Sequence, residues 1–347
     1  MGISLEELQL AARNHGMPLE ALRYPVTPVG LHYLLIHYDI PAVDAATWRL
    51  EVRGAQTLSL TLEDVRARPA VELAATMECA GNGRALLDPR PASQPWLAEA
   101  VGTARWGGTP LRRVLEDAGI PEGTVDVVFR GLDRGAETGE LPERYARALG
   151  LGEALREEVL LAYEMNGAAL PPQHGFPLRL VVPGWYGMTN VKWLAEIELV
   201  DKPFGGFQNE RAYWFRRSSE DAGTPLDRMR PRALMVPPGV PEFFSRRRLL
   251  EPGDCLLEGR AWSGFAPVAG VDVSADGGAT WAAAELRGDE GRWAWRGWTF
   301  AWSATPGEHV LCCRARDEAG NEQPFEAEWN VGGYANNGVQ RVGVSVA

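Results

Sequence analysis

The sequence has few cysteines and no long apolar run. Only 4 cysteines occur among 347 residues, and none of them stands in a Cys-x-x-Cys pair. This scarcity excludes a disulfide-stabilised scaffold and argues against a zinc ribbon or a covalently attached c-type haem. The most apolar stretches, 31–36 and 159–162, are far shorter than the roughly 18 residues of a membrane span. The sequence therefore predicts no membrane segment and no metal site built from paired cysteines.

Positive charge is also scarce, both overall and at the amino terminus. The chain has 35 basic and 46 acidic residues, a formal net charge of −11. Because nucleic acids and anionic membranes are bound through basic patches, this balance argues against both as partners. Residues 1–8 contain no basic region, no twin arginine and no apolar core of a signal peptide. We therefore expect a cytoplasmic protein, with periplasmic export by another route left open.

What the sequence does contain predicts two domains. A length of 347 residues corresponds to about two average domains, and 39 glycines and 25 prolines indicate many turns. Residues 1–230 mix helical and strand patterns, so we expect an α+β domain there. Residues 231–347 carry closely spaced strand patterns with glycine turns, which predict an all-β immunoglobulin-like sandwich. The proline-rich stretch 231–241 is expected to link the two domains.

Local signals predict several elements within these domains. Ser4 and Glu7 form a capping box, which predicts a helix at the amino terminus. Thr109 as N-cap, Pro110 at the first helical position and Gly119 as terminator predict a second helix. Alternating apolar residues predict strands at 48–52, 125–129, 178–182, 271–274, 310–315 and 325–331.

One short segment, residues 76–84, combines residue types that could bind a metal. Cys79 is followed by Ala, Gly, Asn and Gly, small residues that allow close approach to the backbone, and Arg84 comes five residues later. A thiolate is a soft ligand for transition metals, and a nearby cation lowers the pKa of a thiol. From the residues alone, Cys79 is either such a ligand or a small buried core residue beside a glycine turn.

A second segment, residues 161–194, presents basic side chains at turns. His174, Arg179 and Lys192 stand on or beside glycine- and proline-rich turns at strand ends. Such loops offer backbone N–H groups and cations to a phosphate or a similar anion. The alternative is a set of hairpins whose cations are simply solvated. The residues alone leave both interpretations open.

Longer motifs extend over most of the chain. They are Cys-Ala-Gly-Asn at 79–82, Ala-Arg-Trp-Gly-Gly at 104–108, Leu-Ala-Tyr-Glu-Met-Asn-Gly at 161–167, Val-Lys-Trp-Leu at 191–194 and Ala-Trp-Ser-Gly at 261–264. In this order they resemble the sulfite oxidase family of molybdenum-cofactor enzymes, and the resemblance runs from about residue 30 to the end. It implies a molybdenum-binding domain followed by a dimerisation domain, with the boundary near residue 230.

The resemblance also implies a molybdenum ion held by one molybdopterin, a pyranopterin dithiolene. Cys79 would be the protein's ligand to the metal, and Arg84 would lie near the metal's oxo groups. The residues implied to contact the pterin and its phosphate are Asp133, His174, Arg179 and Lys192. In such enzymes the cofactor performs the redox chemistry, while the protein supplies position, charge and exclusion of water.

The sequence departs from the family where substrate would bind. Family members surround sulfite with arginines, whereas this chain offers His37 at one such position and Gly332 at another. A family tyrosine beside the metal falls near Glu137, with Tyr145 close by in sequence. Each charge-assisted hydrogen bond contributes about 1.5–3 kcal/mol, so an oxyanion would bind more weakly unless other groups replace the arginines. His37 is a candidate catalytic residue, with a structural histidine as the alternative.

The resemblance therefore implies an oxidoreductase that performs two-electron oxygen-atom transfer. Sulfite oxidation to sulfate is the default reaction, on a small anionic or oxo substrate, in a homodimer formed through the second domain. Because the sequence has no haem-attachment motif, electrons would pass to a separate carrier. The alternatives are an enzyme for another small S- or N-oxo substrate, and a cofactor-binding or structural protein without catalysis.

Overall fold

The structure is a computed structural model that describes residues 2–137 and 139–347. Its α-helices are α1 (Leu5–Arg13), α2 (Leu62–Arg66), α3 (Leu111–Ala118), α4 (Leu151–Ala154) and α5 (Phe207–Glu210). The strands before residue 231 are β1 (Leu50–Arg53), β2 (Thr57–Leu60), β3 (Val71–Glu78), β4 (Val101–Pro110), β5 (Asp126–Gly135), β6 (Glu143–Gly150), β7 (Leu160–Met165), β8 (Ala168–Ala169), β9 (Arg179–Val181), β10 (Leu194–Val200), β11 (Trp214–Phe215) and β12 (Thr224–Pro225). The later strands are β13 (Arg232–Met235), β14 (Val240–Pro241), β15 (Arg248–Leu250), β16 (Gly253–Trp262), β17 (Val268–Ser274), β18 (Ala282–Ala283), β19 (Glu285–Arg287), β20 (Arg296–Ala304), β21 (Gly307–Asp317) and β22 (Gln340–Val346). Across the described residues, every helix is too short or too polar to cross a membrane.

Two sheets of the first part carry the candidate site. One has the strand order β2-β1-β10-β5-β6, and the other has the order β3-β4-β7-β8 with β9 paired to β7. β1 and β10 run parallel, and the neighbouring β5 runs antiparallel to β10. β3 ends at Glu78, directly before Cys79, and β9 begins at Arg179. Ends of strands from one sheet thus hold residues from both predicted segments.

Helix α3 covers one face of the first sheet. Its buried residues Leu111, Val114, Leu115 and Ala118 recur at the i, i+3, i+4, i+7 spacing of a one-sided apolar helix. They belong to the same core cluster as Leu50 of β1. Because burying a leucine or valine side chain contributes about 1.5–3 kcal/mol, this face holds the helix on the sheet.

The second part is an all-β sandwich, as the sequence predicts. Its sheets have the strand orders β13-β16-β20-β19 and β14-β15-β22-β21-β17-β18. Trp298 and Trp302 of β20 are both buried and share one core cluster with Val271 and Val273 of β17, in the facing sheet. Their even spacing puts these side chains on the same face of each strand, which is why the alternating pattern predicts strands here.

The helix signals in the sequence are confirmed in part. The capping box of Ser4 and Glu7 is present at α1, and Gly119 follows α3 as its C-cap with a φ of +70°. Thr109, however, is not the N-cap of α3. It lies in β4, and Pro110 at the end of that strand precedes the helix. Pairing of β4 with β7 keeps this segment extended up to the start of the helix. Thr109 therefore belongs to the sheet and does not cap the helix.

Two further predictions are wrong because of tertiary pairing. The stretch 231–241 is not a free linker, since residues 232–235 form β13 and pair with β16. Residues 325–331 form no strand, and the Val331 N–H donates instead to the Arg216 carbonyl. A local pattern of prolines or alternating residues does not reveal which partner the backbone will meet.

Candidate active site

Six of the seven candidate residues lie on the wall of one cavity. The empty space around its wall is about 640 Å³, a figure that includes the gaps between wall atoms and the open solvent at the mouth. The candidate residues on its wall are His37, Cys79, Asp133, His174, Arg179 and Lys192. They come from a loop before β1, the end of β3, strand β5, and the turns on both sides of β9. The two predicted segments therefore meet at one place.

Cys79 directly follows β3 and lines this cavity. Its N–H donates to the Ala100 carbonyl at 2.9 Å, and its own carbonyl accepts from the Asn82 N–H at 2.9 Å. Burial raises the pKa of the Cys79 thiol, while the charge of Arg84 acts in the opposite direction. A bound metal ion deprotonates a coordinating thiol, because its charge outweighs the desolvation of the thiolate. The thiol is thus suited to coordinate a soft metal rather than to act as a free nucleophile.

Arg179, Lys192 and His174 form a basic cluster on the cavity wall. The Arg179 guanidinium donates to the His174 carbonyl at 3.0 Å and lies 4.7 Å from the centroid of a Trp106 ring. Lys192 Nζ donates to the Leu35 carbonyl at 2.5 Å. Burial lowers the pKa of Arg179 to about 10. Burial and neighbouring positive groups lower the pKa of Lys192 to about 7 and that of His174 to about 2.

Asp133 is the one acid among the described residues that line the cavity. Burial raises its pKa to about 6, against the opposing effect of the Lys192 charge. Its Oδ1 is buried without a hydrogen-bond partner in the described chain, as is Nε of Arg179. Because buried polar atoms are nearly always paired, these two atoms indicate a ligand that donates to Asp133 and accepts from Arg179.

His37 and Tyr213 form a hydrogen-bonded pair on the same wall. His37 Nε2 lies 2.5 Å from the Tyr213 hydroxyl, and the His37 and Tyr145 rings have centroids 5.1 Å apart. Burial, followed by the charges of Lys192 and Arg84, lowers the pKa of His37 to about 3, so the imidazole is neutral. Tyr213 has a φ of +59°, a left-handed conformation that costs about 1–2 kcal/mol for a residue with a side chain. Such strain is common at functional sites.

Sequence reasoning did not find Tyr213, because neither a motif nor a periodicity marks it. Its contact with His37 joins residues 176 positions apart in the chain. Tyr145, noted as lying close to the missing family tyrosine, lines the cavity, and its hydroxyl donates to the Met188 carbonyl at 2.7 Å. Glu137 is not on the cavity wall, and its carboxylate accepts a hydrogen bond from the Tyr38 hydroxyl at 2.9 Å.

Arg84 is the candidate residue that does not line the cavity. Its Nε donates to the Gly332 carbonyl at 2.9 Å, and its Nη1 donates to the Gln94 carbonyl at 3.1 Å. Its guanidinium lies 5.1 Å from the ring centroid of Tyr334. Since its charge opposes the rise in the pKa of Cys79, it acts on the cavity through space. Direct contact with oxo groups of a metal stays a prediction.

Comparison with known proteins identifies the family. A model of the oxidoreductase molybdopterin binding domain matches residues 37–208, and one of the Mo-co oxidoreductase dimerisation domain matches residues 244–347. Sulfite oxidase of Gallus gallus is 38% identical over 337 residues, which cover 91% of this chain and 72% of that protein. The chain belongs to the sulfite oxidase family. It is therefore a molybdenum-cofactor oxidoreductase, as the motifs indicate.

Two further relatives agree with this family assignment. Mitochondrial sulfite oxidase of Rattus norvegicus is 36% identical over 350 residues, and the match covers 92% of this chain and 62% of the relative. The crystal structure of the sulfane dehydrogenase SoxCD from Paracoccus pantotrophus superposes with a TM-score of 0.81 at 26% identity. That superposition covers 94% of this chain and 82% of the other. The order of an α+β domain followed by an all-β domain is thus confirmed.

The residues of the cavity fit the molybdenum–molybdopterin group. The thiol of Cys79 is a soft donor, as a molybdenum ion requires. The cations Arg179 and Lys192 have Asp133 as their one acidic neighbour on the described wall, so a phosphate would balance their charge. The unpaired Oδ1 of Asp133 would accept a hydrogen bond from an N–H group of the pterin, and the unpaired Nε of Arg179 would donate to an oxygen of the pterin or its phosphate.

Proposed function

We propose that this chain oxidises sulfite to sulfate by two-electron oxygen-atom transfer and passes the electrons singly to a separate carrier. Sulfite gains one oxygen atom that comes from water, and two protons and two electrons are released. The observation that carries the proposal is the meeting of Cys79 with His174, Arg179 and Lys192 in one cavity. The names of the relatives, which are sulfite oxidases, support sulfite as the substrate.

We assign the roles of the side chains as follows. Cys79 holds the metal by its thiolate, while Arg179 and Lys192 hold the phosphate, and His174 and Asp133 orient the pterin. When bound, the group supplies an oxo transfer and a two-electron redox change. The protein fixes that group, keeps water away from it through burial, and leaves the open mouth of the cavity for the substrate.

A second candidate is an enzyme for an uncharged S- or N-oxide. Arg179 is the one arginine among the described residues of the cavity wall, and it belongs to the basic cluster assigned to the phosphate. His37, where the family has an arginine, is neutral. If no group outside the wall supplies positive charge, a described wall without a further arginine favours a substrate that carries less charge than sulfite.

The test uses protein purified from a host that makes the cofactor. We expect about one molybdenum per chain by elemental analysis, and sulfite-dependent reduction of ferricyanide. The Cys79→Ser variant should lose both, whereas the half-buried Cys255→Ser control keeps both. The second candidate would be supported if the molybdenum-loaded protein does not oxidise sulfite but oxidises reduced viologen with dimethyl sulfoxide or trimethylamine N-oxide as the oxidant. A Cys79→Ser variant with full metal content and activity would disprove the proposed thiolate ligand.

We also propose that the chain divides at residues 230 and 231 and that two copies pair through the second domain. The start of β13 at Arg232 and its pairing with β16 support the division. The match of residues 244–347 to a dimerisation domain supports the pairing. The cytoplasmic location stays a prediction.

A further inference from the structure

Three arginines around the cavity are buried without an acidic partner. Arg84, Arg147 and Arg179 are each about 5% exposed. Their guanidinium groups donate to backbone carbonyls and, for Arg179, also to the sulfur of Met77, rather than to any carboxylate of the described chain. Burying an unpaired charge is costly, so an anion bound nearby would stabilise each of these arginines. The phosphate proposed above accounts for Arg179 and leaves the other two unexplained.

Arg84 and Arg147 flank a pair of neighbouring tyrosine rings that are tilted by 39° to each other. The guanidinium of Arg147 lies 5.7 Å from the Tyr213 ring centroid, and that of Arg84 lies 5.1 Å from the Tyr334 ring centroid. The two tyrosine rings are themselves 5.3 Å apart. Nε of Arg147 is buried without a partner among the described residues, and its Nη1 donates to the carbonyl of Gln208. Of this group, Tyr213 reaches the cavity wall.

The hydrogen bond between His37 and Tyr213 leaves one donor for a ligand, whichever group donates. If the Tyr213 hydroxyl donates to Nε2, the proton of the neutral imidazole is on Nδ1, which has no partner in the described chain. If Nε2–H donates to the hydroxyl oxygen, the Tyr213 O–H is free. The pair therefore offers an N–H or an O–H to the cavity, and both residues line it.

The field of a buried cation is strong at such a donor. Inside a protein the effective dielectric constant is far below that of water, so a charge behind an aromatic ring still acts on the ring's hydroxyl and on its ligand. Arg147 is not on the cavity wall, but its guanidinium lies close enough to the Tyr213 ring to act on the hydroxyl in this way. A hydrogen bond to an ionised oxygen is also roughly twice as strong as one to a neutral oxygen. An oxyanion gains from both effects, while an uncharged oxide gains little from either.

We propose that His37 and Tyr213 form a subsite for a small oxyanion, with Arg147 as a positioning residue that supplies positive charge through Tyr213. This proposal rests on the proposed function, and it names the residues that would bind the substrate. Arg84, behind Tyr334, adds to the same positive field. The subsite replaces the arginines that family members place around sulfite, and it favours the anionic substrate over the uncharged oxides.

The experiment measures binding rather than turnover. Sulfate, the product of the proposed reaction, is titrated calorimetrically into the molybdenum-loaded protein, and dimethyl sulfoxide serves as the uncharged probe. We expect the double variant His37→Phe with Tyr213→Phe, which removes both possible donors, to raise the Kd for sulfate by more than roughly tenfold, the effect of losing one charge-assisted hydrogen bond. Arg147→Met, which removes only the positive charge beside Tyr213, should raise this Kd roughly tenfold or less, and by more than about twofold. Arg147→Lys, which keeps the charge, should recover part of this loss. Arg113→Met is the matched control, since Arg113 is an exposed residue of α3, and it should bind sulfate as the parent protein does.

The proposal is overturned by any of three results. These are a parent protein that does not bind sulfate, an Arg147→Met variant within twofold of the parent, and equal weakening of sulfate and dimethyl sulfoxide. If Arg147→Met does not fold, the double variant His37→Phe with Tyr213→Phe decides, because it removes both groups that can supply the donor and keeps aromatic rings in their place. Sulfate binding with no sulfite oxidation contradicts the proposed function alone. Sulfite oxidation without sulfate binding contradicts the subsite alone.

Discussion

Glu78 and Arg232 form an ion pair in which both side chains are almost fully buried, 3% and 2% exposed, with Oε1 and Nη1 2.8 Å apart. Trp262 Nε1 donates to the other carboxylate oxygen at 2.9 Å, and the Asn82 amide donates to Oε1 at 2.9 Å. Glu78 immediately precedes Cys79, whereas Arg232 and Trp262 belong to the all-β sandwich. The second part of the chain therefore helps to hold the loop that carries the thiol.

We predict that Arg232→Met lowers the free energy of unfolding by about 3–5 kcal/mol, because it leaves the Glu78 carboxylate buried without its counter-ion. The double variant Glu78→Gln with Arg232→Met should lose less, since it removes both charges. The control is Arg217→Met, whose exposed pair with Glu328 should contribute no more than about 1 kcal/mol. Urea denaturation measures all of these variants. An Arg232→Met variant as stable as the control would show that the pair is dispensable.

We predict that Gly83→Ala destabilises the protein more than Gly123→Ala does. Both glycines have positive φ, +87° and +81°, so an alanine at either costs about 1–2 kcal/mol. At Gly83 the new Cβ would also lie 2.9 Å from Cγ of Asn336, whose amide donates to the Gly83 carbonyl at 2.7 Å. At Gly123 the space is open. Thermal denaturation and molybdenum content should separate the two variants, and equal losses would contradict this account.

The pH dependence of the cofactor-free protein should report on Lys192. Burial lowers its pKa in the folded protein to about 7, against roughly 10.4 in an unfolded chain. Between these values the unfolded chain binds a proton that the folded one does not. The free energy of unfolding should therefore rise with pH, by up to about 1.4 kcal/mol per unit.

The variant Lys192→Met should flatten this dependence and stabilise the cofactor-free protein at pH 7, while the loaded variant retains less molybdenum. Lys202→Met, at an exposed lysine, is the matched control and should keep the parent slope. Denaturant midpoints between pH 7 and pH 10 provide the measurement. Parallel curves for the parent protein and Lys192→Met would refute the assignment to Lys192.

The proposed homodimer predicts a role for two exposed phenylalanines. Phe243 and Phe244, at the turn between β14 and β15, are 88% and 93% exposed. Burying a phenylalanine contributes about 1.5–3 kcal/mol, so replacing both by serine should weaken a dimer at least roughly a hundredfold. Analytical ultracentrifugation of the double variant measures this, with Phe265→Ser as the control elsewhere in the sandwich. An unchanged dimer would exclude this turn from the interface.

Local patterns sufficed for several elements of the fold. The spacing of Leu111, Val114 and Leu115 predicts α3, and the alternation of Val271 and Val273 predicts β17. These predictions hold because a helix or strand repeats with a fixed period that a short stretch of sequence can show. Thr109 shows where this reasoning fails, because its pairing within the sheet outweighs its preference for a cap.

The sequence by itself determined the family, because its motifs are continuous stretches such as residues 79–82 and 161–167. It also predicts Cys79, His174, Arg179 and Lys192 as the residues that hold the cofactor, and that assignment stays a prediction. Only the tertiary structure decided that Tyr213 faces His37, that Arg147 lies behind it, and that Arg84 lies outside the cavity wall. The physical reason is the range of the interactions. Motifs and periods are properties of neighbouring residues, whereas a hydrogen bond across 176 positions depends on how whole sheets pack.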